Sequence, residues 1–200
     1  MTAGHVIAFE GLDQSGKQTQ AERLVQALRE ARREVRFLSF PDYATPIGTE
    51  IGRALRGERD YAADTLQLLY VANRYEYRPA IEQAVTAGGV VVCDRYLASS
   101  VAYGDAQGLD AEWLITIQRH LPQPSLTILL DIPPEASLQR KQRARDRYEQ
   151  DLALLGRVRD SYRRQAVAAP ERWSLLDGSA DKDAVTDAVF SLVRSRLALL

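Results

Sequence analysis

Gly11-Leu12-Asp13-Gln14-Ser15-Gly16-Lys17 follows the spacing Gly-x-x-x-x-Gly-Lys. Backbone N–H groups of such a loop curl into a nest for an anion. The helix that follows adds positive partial charge, and the lysine reaches the terminal phosphates of a nucleotide. After the lysine, this pattern calls for Ser or Thr, whose hydroxyl ligates Mg²⁺. Here that residue is Gln18, with Thr19 behind it. One residue on a helix turns the side chain by about 100°, so Thr19 does not simply replace the missing hydroxyl.

Val90-Val91-Val92-Cys93-Asp94 is an apolar run closed by an acid, the sequence that senses Mg²⁺ in phosphate-loop enzymes. Cys93 inside it reads as core packing. Tyr70 and Arg74 stand at i and i+4, so one helix face offers a ring to stack on a base and a guanidinium to meet a carbonyl oxygen. The competing reading is a core stripe through Leu66, Tyr70, Tyr77 and Ile81, and a buried arginine argues against a dry core. Pro79 is expected to kink or end this helix. Residues 140–164 hold eight arginines and Lys141 against four acids, a local net of +5 that leaves −6 for the rest. Arg140, Arg143 and Arg147 make a basic stripe if helical; a solvated face with Arg145–Glu149 and Arg147–Asp151 pairs is the plainer alternative.

These groups need a frame, and five short apolar runs supply it: His5–Glu10, Val35–Phe40, Val90–Asp94, Leu126–Asp131 and Trp173–Asp177. Most are apolar nearly throughout, as suits strands buried on both faces of a parallel sheet. Ala21, Leu24, Val25 and Leu28 give residues 17–32 helical periodicity, and Val185, Ala188, Val189 and Leu192 do so near the C-terminus. Strands alternating with helices predict an α/β fold: a five-stranded parallel sheet with helices on both faces and ligands at the carboxyl ends of its strands.

The 200 residues suit one domain, 1–200, with no repeat or linker to divide it. The 26 basic and 27 acidic residues nearly cancel, so bulk charge gives no argument for nucleic acid or a membrane surface as partner. One cysteine excludes an internal disulfide and fits a reducing compartment. With only Cys93, His5 and His120, a four-ligand Cys/His zinc site is excluded as well. No run approaches a membrane span or a secretion signal, so a soluble cytoplasmic protein is expected.

Further residues narrow the class. Phe9-Glu10-Gly11-Leu12-Asp13, Phe40-Pro41-Asp42-Tyr43, Leu69-Tyr70-Val71-Ala72-Asn73-Arg74, Asp94-Arg95-Tyr96, Ala98-Ser99-Ser100-Val101-Ala102-Tyr103 and Arg145-Asp146-Arg147-Tyr148-Glu149 occur in that order. Together they resemble the thymidylate kinase family over nearly the whole chain, which implies the P-loop NTPase fold, ATP and Mg²⁺, and transfer of the ATP γ-phosphoryl group to dTMP. By this resemblance Gly11, Leu12, Asp13, Gln14, Ser15, Gly16, Lys17, Gln18, Thr19 and Arg140 hold the ATP. Tyr70 and Arg74 hold the thymine with Ser99 and Ser100 near its edge, and Tyr103 crowds the sugar C2′. Asp13 accepts from the 3′-hydroxyl, Arg95 clamps the acceptor phosphate, and Phe40, Pro41, Tyr43 and Tyr148 complete the acceptor site.

An arginine-rich lid at about 138–150 is implied too. Gln14 stands where relatives can carry a catalytic arginine, which leaves Arg143 or Arg145; Asp94 and Glu149 are the candidate Mg²⁺ partners. The resemblance also implies a homodimer. Two other functions compete. A deoxynucleoside kinase would phosphorylate a sugar hydroxyl and need a carboxylate base, for which Asp42 is available. An impaired ATP-binding protein would follow from Gln18. A GTPase-type switch lacks its Asn-Lys-x-Asp sequence.

Overall fold

The computed structural model describes residues 4–140 and 151–200. β1 (His5–Glu10) lies at the centre of a five-stranded sheet. β3 (Val90–Asp94) and β2 (Val35–Ser39) flank it on one side, β4 (Leu126–Asp131) and β5 (Trp173–Asp177) on the other. Every pairing is parallel, with Phe9 opposite Asp94 and Asp94 opposite Ser39. The strands therefore end at one edge, where Glu10, Asp94 and Asp131 gather.

The connection leaving β1 runs toward the β2 side, whereas the chain leaving β3 crosses to β4. Loops that part in this way open a crevice at the carboxyl ends of neighbouring strands.

Alternation along β1 sorts its side chains between two layers. Ile7 and Phe9 face α1 (Lys17–Glu30) and α9 (Lys182–Leu197), packing with Leu24, Leu28 and Val189. Val6 and Ala8 face the other layer with Val91, Cys93, Ile81 and Phe40. Each fully buried Leu, Ile or Phe stabilises the fold by about 1.5–3 kcal/mol relative to exposure. Burial on both faces holds for β1, β3 and β4, but β2 and β5 are only half covered. They are the sheet's edges, so the expectation of fully buried strands fails there.

α2 (Pro46–Leu55) and α3 (Ala63–Tyr75) follow β2, and α4 (Arg78–Thr86) leads back to β3. The helix carrying Tyr70 ends at Tyr75, so Pro79 neither kinks nor ends it. It sits instead in the first turn of α4, where a missing N–H costs nothing. The stripe from Leu66 to Ile81 thus spans two helices.

α5 (Leu97–Ala106) and α6 (Ala111–Thr116) lie between β3 and β4. α7 (Pro134–Arg140) follows β4, and α8 (Leu152–Ala168) precedes β5. Among the described residues, no helix is long and apolar enough to cross a membrane.

Candidate active site

Two glycines shape the loop after β1. Gly11 has φ +138°, and a Cβ there would stand 2.5 Å from the Leu130 carbonyl oxygen. Gly16, at φ +92°, precedes α1 with no side-chain cap, whereas Thr45, Asp110, Asp151 and Asp181 cap α2, α6, α8 and α9. The first N–H groups of α1 therefore stay available to an anion. Lys17 is buried and its Nζ donates to the Leu12 carbonyl at 2.7 Å, arching over the loop. Burial, then the Arg95 charge, lowers its pKa to about 8, against the opposing pull of Asp13, Asp94 and Glu10.

Gln18 points outward and donates to Glu22 at 2.9 Å, while Thr19 is half-buried. The Ser15 hydroxyl is shielded beneath the loop with no partner among the described residues. Arg140 closes the loop's flank by donating to the carbonyls of Gln14 and Gly178, both at 3.1 Å.

Asp94 faces this loop from β3. Its Oδ1 is buried without a hydrogen-bond partner among the described residues, and Oδ2 has only the Ser39 hydroxyl at 3.5 Å. No group of three or more His, Cys, Asp or Glu side chains placed to hold a metal occurs among the described residues. Mg²⁺ suits such a place, because it retains waters and needs only one or two carboxylates beside the phosphates. The bare Asp94 oxygen fits that demand. Glu149 lies outside the described residues.

A cavity of about 280 Å³ opens beside the loop. Asp13, Phe40, Pro41, Tyr43, Tyr70, Arg74, Arg95, Ser99, Ser100 and Tyr103 all line it. All the acceptor-side residues read from the sequence thus meet in one place, except Tyr148, which lies outside the described residues. Gln67, Gln107 and Leu55 complete the wall and had no motif to mark them.

Arg95 stands where loop and cavity join. Its Nη2 meets Asp13 Oδ1 at 2.6 Å; its Nη1 donates to Gly11 O at 3.2 Å and to the Ser99 and Tyr162 hydroxyls at 3.3 Å. The guanidinium lies 5.5 Å from the Tyr103 ring centroid, and the backbone holds φ +61°, unusual for a residue with a side chain. Burial alone would lower its pKa. Asp13, with Tyr103, Tyr162 and Asp94, outweighs burial and holds it well above the ordinary arginine value.

Arg74, 3% exposed, donates from Nη1 to Ser100 Oγ at 2.7 Å and leaves Nε without a partner among the described residues. Burial lowers its pKa, with Glu10 the main opposing charge. Arginine nonetheless remains a cation in proteins.

Beneath the cavity lies a carboxylate whose role the sequence did not reveal. Glu10 is fully buried. Its Oε1 accepts from the Tyr96 N–H at 2.8 Å; its Oε2 accepts from Ser99 at 2.6 Å and Tyr162 at 3.1 Å. A buried carboxylate is costly without such donors. With them, it fixes the two hydroxyls that contact Arg95. Tyr162 sits on α8, so no local signal linked it to β1.

Part of the basic excess has a structural explanation. Asp131 receives Arg159 through two bonds, 2.7 and 2.8 Å, and Arg163 at 2.8 Å. Arg157 caps the Ala106 carbonyl, and Arg164 pairs with Asp105. The four arginines of residues 157–164 therefore dock α8, and their share of the surplus lies outside the lid expected at about 138–150. Arg143, Arg145 and the rest of residues 141–150 lie outside the described residues.

A family model for thymidylate kinase matches residues 9–189. The thymidylate kinase of Dictyostelium discoideum is 31% identical over 193 residues, covering 96% of this chain and 86% of that protein. The Thermomicrobium roseum thymidylate kinase is 36% identical over 200 residues, covering 94% and 93%. Among solved structures, thymidylate kinase from Candida albicans superposes with a TM-score of 0.84 at 28% identity, over 99% of this chain and 94% of that one.

Proposed function

The chain belongs to the thymidylate kinase family, phosphotransferases that phosphorylate dTMP with ATP as donor, and we propose how its own residues divide that reaction. Gly11 to Gly16 cradle the ATP phosphates, and Lys17 neutralises the β- and γ-oxygens. Asp94 would hold Mg²⁺, which supplies charge neutralisation at the phosphates. Arg140 supports the loop. Arg143 or Arg145 meets the charge on the transferring group.

In the acceptor cavity Tyr70 stacks on the thymine and Arg74 donates to its carbonyl edge. Tyr103 crowds the sugar C2′, and Asp13 takes the 3′-hydroxyl. Arg95 turns its fork to the 5′-phosphate, a match for two oxygens that lysine lacks. An oxygen of that phosphate bonds to the ATP γ-phosphorus as the bond from γ-phosphorus to the bridging oxygen breaks, leaving dTDP and ADP. The acceptor phosphate has a second pKa of about 6 and is already mostly dianionic at neutral pH, so no general base is required. Alignment and charge neutralisation carry the catalysis. A homodimer and a cytoplasmic location belong to the same reading.

The observation that carries this reading is the 2.6 Å contact between Asp13 of the phosphate loop and Arg95 of the cavity. Donor and acceptor sites share that wall, as direct transfer between two bound nucleotides requires. The sugar-hydroxyl alternative is weaker, since Asp42 accepts from Tyr77 Oη and the Ala44 N–H and is absent from the cavity wall. Arg95→Lys tests the reading. It should lower kcat/KM for dTMP by about 10²-fold, the order expected for losing two charge-assisted bonds at about 1.5 kcal/mol each. The KM for ATP should stay near the wild-type value. Unimpaired dTMP turnover would remove Arg95 from the acceptor site.

A further inference from the structure

α3 presents Gln67, Tyr70 and Arg74 at i, i+3 and i+7, one face of the helix, and all three line the cavity. Tyr70 and Arg74 have roles in the reading above, on which this inference rests; Gln67 has none. It is 1% exposed, and its amide oxygen Oε1 is shielded from solvent with no hydrogen-bond partner among the described residues. Buried amide groups are almost always paired, so an orphan in a cavity wall calls for a missing partner. Arg74 Nε on the same face is a second orphan, and it can only donate.

The Gln67 stem is also backed from behind. A Cβ at Gly104 of α5 would meet the Gln67 Cγ at 3.4 Å and the Leu114 side chain closer still. Gly104 thus lets α5 approach and leaves the stem little room to swing away. An acceptor and a donor beside an aromatic ring complement a ring edge carrying a carbonyl next to an N–H.

We propose that Gln67 is a specificity-determining residue that hydrogen-bonds the base of the acceptor nucleotide, favouring a pyrimidine with a 4-carbonyl and an adjacent N3–H. Arg74 donates to the carbonyl and Gln67 Oε1 accepts from the N–H. Cytosine, with an amino group at C4 and no proton on N3, leaves both groups of the wall mismatched.

Gln67→Leu removes the amide at nearly constant volume. Calorimetric dTMP binding should weaken about tenfold, or about 1.4 kcal/mol, and the preference for dTMP over dCMP should shrink by a similar factor. The KM for ATP should hold, and the Tm of the ligand-free protein should not fall, because the amide has no partner to lose. A purely structural Gln67 would instead lower the Tm and move both substrates together. Gln67→Met serves as the second variant if the leucine does not fold. A dTMP affinity within twofold of wild type, or a lowered Tm with both substrates weakened, overturns the proposal. Wild-type protein that fails to bind dTMP overturns the family-based acceptor reading as well, so the two failures are distinguishable.

Discussion

ATP binding should take up a proton at Lys17 above neutral pH. The amine is buried, 5% exposed, and its pKa is lowered to about 8 by burial and then by Arg95. A bound triphosphate brings several negative charges to the same nitrogen and restores the ammonium form. With a free-state value of about 8, the neutral fraction before binding is about 0.1 at pH 7, about 0.5 at pH 8 and about 0.9 at pH 9, and each fraction equals the proton uptake. The apparent Kd for Mg-ATP should consequently rise about tenfold from pH 7 to pH 9, or about 1.4 kcal/mol.

Calorimetry in buffers of differing ionisation enthalpy reads the uptake directly. Lys17→Arg is the control, because a guanidinium stays charged throughout and should abolish the uptake. The same shift has a stability consequence. The ordinary value is 10.5, so between about 8 and 10.5 the unfolded chain holds more protons at this site than the native one. Ligand-free stability should then rise with pH across that window, by up to about 3 kcal/mol from this group. No proton uptake at pH 8 and 9, together with a flat ATP affinity, would refute the assignment of Lys17 to the triphosphate.

Tyr162→Phe should lower the Tm by about 3–10 °C, because Glu10 loses one of three donors and a hydrogen bond to a charged group contributes about 1.5–3 kcal/mol. The KM for dTMP should rise with it as Arg95 loses a support; differential scanning calorimetry and steady-state kinetics check both, and an unchanged Tm would dismiss the Glu10 network as a brace. Gln18→Ser places a hydroxyl where phosphate-loop proteins hold Mg²⁺ and removes an outward amide bonded to Glu22. Half-saturation should move to lower Mg²⁺ in a metal titration, and an unaltered curve would show that the ion is held without that position.

The strands and the phosphate loop could be read from the sequence because their signals are local. Val90–Asp94 is continuous apolar sequence closed by an acid, and it folds as β3 with that range. Gly11 and Gly16 were expected as loop formers, and their backbone angles are ones that glycine tolerates. Tyr70 and Arg74 share a face through helical spacing and line one cavity. Glu10 and Tyr162 illustrate the opposite case: they meet across 152 residues, and no periodicity announces such a bond. Gln67 likewise resembles any polar residue of α3 until α5 covers it. Pro79 misled because the helix stops at Tyr75 for its own reasons, and proline is at home in the next first turn. In the sequence the arginines of residues 157–164 are only part of a net positive stretch. Their partners Asp131 and Asp105 arrive only with the packed fold.

The central claim is that the cavity beside the phosphate loop receives a pyrimidine deoxynucleoside monophosphate and that Arg95 holds its phosphate. ADP release with Mg-ATP, measured side by side with dTMP and with thymidine as acceptor, tests it most directly. The account predicts rapid turnover of dTMP and little or none of thymidine, which offers Arg95 nothing to clamp. Faster turnover of thymidine than of dTMP would contradict it.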